Sequence, residues 1–199
     1  MSYAENLYNK IWKTRGSRFI AHKRLERLNE LSNYSIAINS IYVIVLSILS
    51  LEQFRNLSKL DANHLSLITF FLSILILVIS LIENSKDYKI KAESHHRCGK
   101  KLSRIYEKLI QIKDKSNDPS IFAKIEELAT EYQNIIDEFP YNHSPIDYKK
   151  FTLKENIDNK NIFSKKIKLL FLDIEIYFII SASIIAPLLF ILIYVINFN

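Results

Sequence analysis

His95, His96 and Cys98 are the residues of this sequence best equipped for chemistry, two imidazoles and a thiol within four positions. With His64 or His143 added, they invite a metal-site reading. Adjacent histidines on a helix, however, point about 100° apart, and the sequence holds neither an HxxxH nor a CxxC pair, so no metal site is expected. Their spacing instead puts His95 and Cys98 on a buried seam and His96 in solvent. Other groups that might react are no better placed. Gly16 and Gly99 are the two glycines, which leaves no loop to cradle a phosphate. Glu126-Glu127 and Asp137-Glu138 read as a solvated helix face rather than an acid/base pair. Ser144 precedes Pro145 with nothing resembling a nucleophile elbow. We expect no catalytic site and no cofactor.

The constellation with functional weight is a stripe of hydroxyls. Residues 65–82, LSLITFFLSILILVISLI, run for eighteen positions without a charge. A helix of that length spans roughly 27 Å, close to the hydrocarbon thickness of a bilayer. Ser66, Thr69, Ser73 and Ser80 stand 3, 4 and 7 apart, which places them on one face, and Asn84 continues it. Small polar residues let helices approach closely and hydrogen-bond across an interface. The same stripe can line a narrow wet pore when several copies assemble. Both uses remain open at this point. Ser40 and Ser47 form a matching face, with Ser50 and Asn39, in residues 35–51, a second uncharged stretch. Neither stretch holds Asp, Glu, Lys, Arg or His. A coupled transporter generally needs such a group at mid-membrane, so the pattern leans away from a transporter and is compatible with a passive, poorly selective pore.

These faces need elements to carry them. Two glycines and four prolines in 199 residues favour long helices over a sheet. The single cysteine excludes an internal disulfide. The first 34 residues carry ten charges and no apolar core of the signal-peptide kind, so no cleaved targeting peptide is expected. Residues 1–34 form a basic cytosolic amphipathic segment with Tyr3, Leu7, Tyr8, Ile11 and Trp12 on one face. Beside Lys10, Lys13, Arg15 and Arg18 that face suits either the headgroup level or the protein's own cytosolic part. Gly16 is expected to end this helix, and a second amphipathic run follows from Arg18. Residues 35–82 then make a transmembrane helical hairpin with a short loop at 52–64.

Residues 83–161 read as a cytosolic antiparallel helical hairpin with a turn motif. A long helix over 83–115 repeats His95, Cys98, Leu102, Ile105, Leu109 and Ile112 at alternating steps of 3 and 4. Asn117-Asp118-Pro119 breaks it, with Asp118 as N-cap and Pro119 at the first position of the next helix. That helix carries Ile121, Ile125, Leu128, Tyr132, Ile135 and Phe139 and stops before Pro140. Residues 86–115 hold ten basic and four acidic side chains, residues 118–138 one and six, a modest aid to pairing. PYNHSP (140–145) is expected to turn, and 152–161 to be a polar connector. Residues 162–199 lead into a third span at 176–196, kinked at Pro187. The fold expected is all-α and integral to a membrane.

Basic residues set the orientation. Residues 1–34 hold seven Lys and Arg, the hairpin loop two, and residues 83–104 seven, which puts the N-terminus inside and the C-terminus outside. The basic flanks suit anionic lipid, and no specific nucleic-acid binding is expected. Arg97, Lys100, Lys101 and Arg104 are candidates for contact with a phosphate or lipid headgroup.

WKTRGSRFIAHKRL near the N-terminus, AESHHRCGKKLSRIYEKL after the hairpin, and PYNHSPIDYKKF with its core NHSPIDY resemble the SLATT proteins, the SMODS- and SLOG-associating two-transmembrane effectors. Their fifth subfamily is the most similar. The likeness covers about Tyr3 to Phe151, and the third span is additional to the two in the family name. The resemblance implies a non-catalytic effector of a bacterial conflict system in the inner membrane. It implies a homo-oligomer in the lipid bilayer beside a neighbouring sensor, nucleotide-synthase or reverse-transcriptase protein, proposed to form a pore and kill or arrest an infected cell. Asn142, His143, Ser144, Pro145, Asp147 and Tyr148 match its motif and are expected to set the cytosolic fold or the contact that gates it. The alternative is a scaffold or sensor that recruits a soluble partner and leaves the membrane tight.

Overall fold

The computed structural model describes residues 3–51, 62–112 and 119–155, together with 164, 167–171, 174, 181 and 185. Among these residues every regular element is an α-helix: α1 (Tyr3–Leu49), α2 (Ala62–Ser85), α3 (Tyr88–Ile112), α4 (Pro119–Glu138) and α5 (Pro145–Glu155). The loop at 52–61, the Asn117-Asp118 break and, apart from Ser181 and Ile185, the third apolar stretch lie outside the described residues.

Two compact units emerge. One draws its described residues from 1–27 and 88–172, the other from 28–87 and 173–199. The first is a helical bundle. The seam of α3 buries His95, Cys98, Leu102, Ile105 and Leu109, against Ile125, Leu128, Tyr132, Ile135 and Phe139 of α4. The alternating 3 and 4 spacing thus does what the sequence predicts. A third layer joins them, since Ala4, Leu7 and Ile11 of α1 are buried in the same core. The Ala4, Leu7 and Ile11 face of the amphipathic N-terminus therefore packs on the protein itself. Tyr8 Oη and Tyr106 Oη lie 2.6 Å apart, and Arg15 stacks 4.0 Å over the Tyr106 ring. The expected charge pairing also forms: Lys101 meets Glu138 at 2.5 Å and Lys108 meets Glu131 at 3.1 Å. Such exposed pairs contribute about 0–1 kcal/mol each.

The second unit has the inverse character. Leu46 and Leu49 of α1 pack on Leu65, Ile68 and Leu72 of α2. Around that contact Ile41, Ile44, Phe70, Phe71, Leu77 and Leu81 are exposed. α1 and α2 are each long and apolar enough to cross a membrane, and only 11 % of the apolar window that begins in α2 is buried. A soluble core helix would bury most of such a window; an apolar surface of this extent belongs in lipid.

Three local expectations are corrected. Gly16 does not end a helix, because α1 runs unbroken through it for 47 residues. Residues 83–115 are not one helix: α2 extends to Ser85, and α3 begins at Tyr88. Asp87 between them has φ of 51°, the left-handed region that Asp tolerates better than most residues. Lys86 Nζ donates to Glu83 Oε1 at 2.5 Å just before the break, and Ser32 Oγ donates to Glu83 Oε2 at 2.9 Å. Finally, the polar connector starts later than expected, since Thr152–Glu155 are the last residues of α5.

Candidate functional site

The residues 140–145 lead straight into α5, and the helix start is built by the motif itself. Pro145 takes the first helical position, where a missing N–H costs nothing. Two residues on, Asp147 turns back: its Oδ2 accepts from the Ser144 backbone N–H at 2.9 Å, and its own N–H donates to the Ser144 carbonyl at 2.9 Å. This is the carboxylate half of a capping box. The same carboxylate, 0 % exposed, takes a two-pronged ion pair from α1. Arg24 Nε donates to Oδ1 at 2.7 Å and Nη2 to Oδ2 at 2.9 Å. Parallel N–H···O bonds of this kind are among the strongest available to side chains.

One turn and a half earlier on α1, Arg18 is buried at 1 % exposure. Its Nη1 donates to the Tyr141 carbonyl and to Nδ1 of His95, 3.1 Å away, while its Nε has no partner. An Nδ1 that accepts from a guanidinium leaves the proton of neutral His95 on Nε2. Burial, and then the charge of Arg18, lower the pKa of His95 from 6.5 to about 4, with Asp147 opposing. Burial and Arg18 push His143 down as well, again against Asp147. Its Nδ1 is buried without a partner. Two guanidinium groups, two neutral imidazoles and one carboxylate thus meet where α1, α3 and the start of α5 converge.

Two glycines make room for this meeting. A Cβ on Gly16 would lie 2.0 Å from the Phe151 ring, so the absence of a side chain is what seats Phe151 against α1. Trp12 meets the same ring edge-on at 4.8 Å. On α3, a Cβ at Gly99 would come within 3.0 Å of Phe19. His96 is not solvated as the spacing suggested: its ring lies 4.5 Å from that of His22 and 6.1 Å from that of Phe19, and its Nδ1 is buried.

The motif residues divide. Asp147 is buried and His143 and Ser144 are partly so, whereas Asn142, Pro145 and Tyr148 face outward. The basic quartet does not gather into one pocket. Arg97, Lys100 and Arg104 are exposed, Lys101 is committed to Glu138, and Arg97 alone of the four lines a shallow groove with Lys89, Glu93, Phe139 and Pro140. In the apolar unit, Ser66 and Ser73 are exposed and Thr69, Ser80 and Ser40 partly so, while Ser47 is exposed. Their hydroxyls mostly turn back on their own helices: Ser40 donates to the Ile36 carbonyl, Ser47 to Val43, Thr69 to Leu65 and Ser73 to Thr69, at 2.7–2.9 Å.

Residues 1–193 match the family described as SMODS and SLOG-associating 2TM effector domain family 5. The chain belongs to that family. Among curated proteins and among solved structures nothing matches. Membership, together with two apolar helices, makes this SLATT chain a membrane protein built on an effector domain. The match runs to residue 193, well past the Phe151 at which the resemblance was expected to end, and takes in most of the third apolar stretch.

Proposed function

We propose that this protein is a non-enzymatic, oligomeric effector that permeabilises the bacterial inner membrane when a conflict system triggers it. In this reading the N-terminus is cytoplasmic, the C-terminus periplasmic, and the trigger comes from a neighbouring sensor, nucleotide-synthase or reverse-transcriptase protein. The observation that carries it is where the hydroxyl stripe lies. The contact between α1 and α2 is made by Leu46, Leu49, Leu65, Ile68 and Leu72, which leaves Ser66 and Ser73 outside it. Two exposed hydroxyl positions, Ser66 and Ser73, on a helix otherwise clothed in Leu, Ile and Phe, suit a face shared between copies. Back-bonding to their own helix lets the hydroxyls face either a neighbour or water without leaving an orphaned group.

Membrane potential in cells expressing the chain with its neighbouring genes, followed by a voltage-sensitive dye under phage challenge, tests the proposal. The wild type is expected to depolarise before viability falls. Replacing Ser66, Thr69, Ser73 and Ser80 with Leu is expected to abolish depolarisation while membrane insertion persists. Ion leak retained in that variant removes the stripe from the pore. A second reading, a scaffold that recruits a soluble partner, draws on the outward-facing Asn142, Pro145 and Tyr148, the last 39 % exposed. It requires a potential that holds while cells stop growing.

A further inference from the structure

The arrangement of α5 goes further than a helix cap. Arg24, Gly16 and Trp12, the residues that hold it through Asp147 and Phe151, all lie on α1. The core that joins α3 to α4 and to the start of α1 runs through a different set of side chains, from Ala4 and Leu7 to Leu109 and Ile125. The Arg24–Asp147 ion pair and the seat of Phe151 over Gly16 both tie α5 to α1, and neither belongs to that core. Buried ion pairs are seldom the most stable choice, since well-packed apolar residues of similar volume often do as well or better. They are unforgiving of losing one partner, which leaves an uncompensated charge. Asp147 faces Arg24 and, through the imidazoles, Arg18, while Lys150, three residues along α5, is buried too. The Asp147 carboxylate is the group that ties the start of α5 to Arg24 of α1.

We propose that α5 is a releasable clasp on α1, closed by Arg24 with Asp147 and by Phe151 over Gly16, and that its release takes the effector out of its resting state. The second clause rests on the effector reading given above; the first does not. Arg24 and Asp147 are positioning residues here, and no ligand contact is assigned to them.

The test uses the full chain in lipid nanodiscs. Trp12 is the sole tryptophan and touches Phe151, so acrylamide quenching of its emission reports the clasp. Hydrogen exchange reports α5 and α3 separately. Asp147→Asn is expected to raise Trp12 quenching and to speed exchange in α5 at least tenfold, with the Leu102–Leu109 stretch of α3 still protected. The paired change Arg24→Met with Asp147→Leu closes the clasp without charge and is expected to restore protection. In cells, Asp147→Asn is expected to arrest growth without a trigger, and the apolar pair to resist one. If Asp147→Asn strips protection from α3 and α5 together, Asp147 is a structural pin and the clasp is refuted. If α5 opens while growth is untouched and the wild type still responds to its trigger, release is not activation. If the wild type never arrests cells even with its neighbouring genes and phage, the effector reading fails, and the exchange data alone decide whether α5 opens separately.

Discussion

His95 sits where a small change of charge is felt most. It accepts from Arg18 in a buried site, and its pKa is held at about 4, against 6.5 for a free imidazole. Between those values the unfolded chain binds a proton that the folded chain refuses. Stability is therefore full above about pH 6.5 and falls as pH drops toward 4, with His143 acting in the same direction. The loss from His95 is at most about 3 kcal/mol. Melting temperatures of the intact protein across pH 7 to 4.5 check it, and His95→Gln, which keeps an acceptor and does not titrate, is expected to flatten the decline. His95 was legible as a seam residue, but its partner was not. Arg18 looked like one more cation in a basic segment. The signal was nonetheless there: Ala4, Leu7, Ile11, Thr14, Arg18, Ala21 and Leu25 repeat at 3 and 4, and Arg18 occupies a core position in that series. A charge on a seam marks a buried partner elsewhere in the fold, and pairing across 123 positions with Tyr141 is invisible to periodicity.

The facing seams of α3 and α4 could be read from the sequence, because two complementary apolar series and the prolines at 119 and 140 that bound α4 leave little choice of packing. α1 was misread at Gly16, where the usual penalty for glycine in a helix suggested a stop. The penalty is outweighed by what the bare backbone admits, the ring of Phe151. The energetics can be separated. Gly16→Ala gains about 1 kcal/mol of helix propensity but displaces a ring whose burial contributes roughly 2–3 kcal/mol. The net expectation is a loss of about 1–2 kcal/mol. On a Phe151→Ala background the same change is expected to reverse sign and stabilise by about 1 kcal/mol. A double-mutant cycle from thermal unfolding of the full chain reads both values, and a loss in both backgrounds would show that Gly16 serves something other than Phe151. The break at Asp87 escaped notice for a related reason: its left-handed backbone requires no glycine, and Asp within a charged run carries no warning.

For the whole molecule, the division between an apolar unit and a water-facing bundle follows from where the charges stop, and that was evident from sequence. Orientation rests on seven basic residues before the first span and seven after the second, against two in the loop. With a membrane-impermeant thiol reagent on intact cells, a cysteine at Asn56 is expected to react and one at Lys13 to react only after permeabilisation. The opposite pattern reverses the topology. The experiment is unusually clean because of Cys98. It is 0 % exposed in the seam of α3, and burial pushes its thiol pKa up, so the one sulfhydryl nature supplied stays protonated and out of reach. Any adduct on the folded protein must then come from a cysteine placed there by design, and the unaltered chain serves as its own blank.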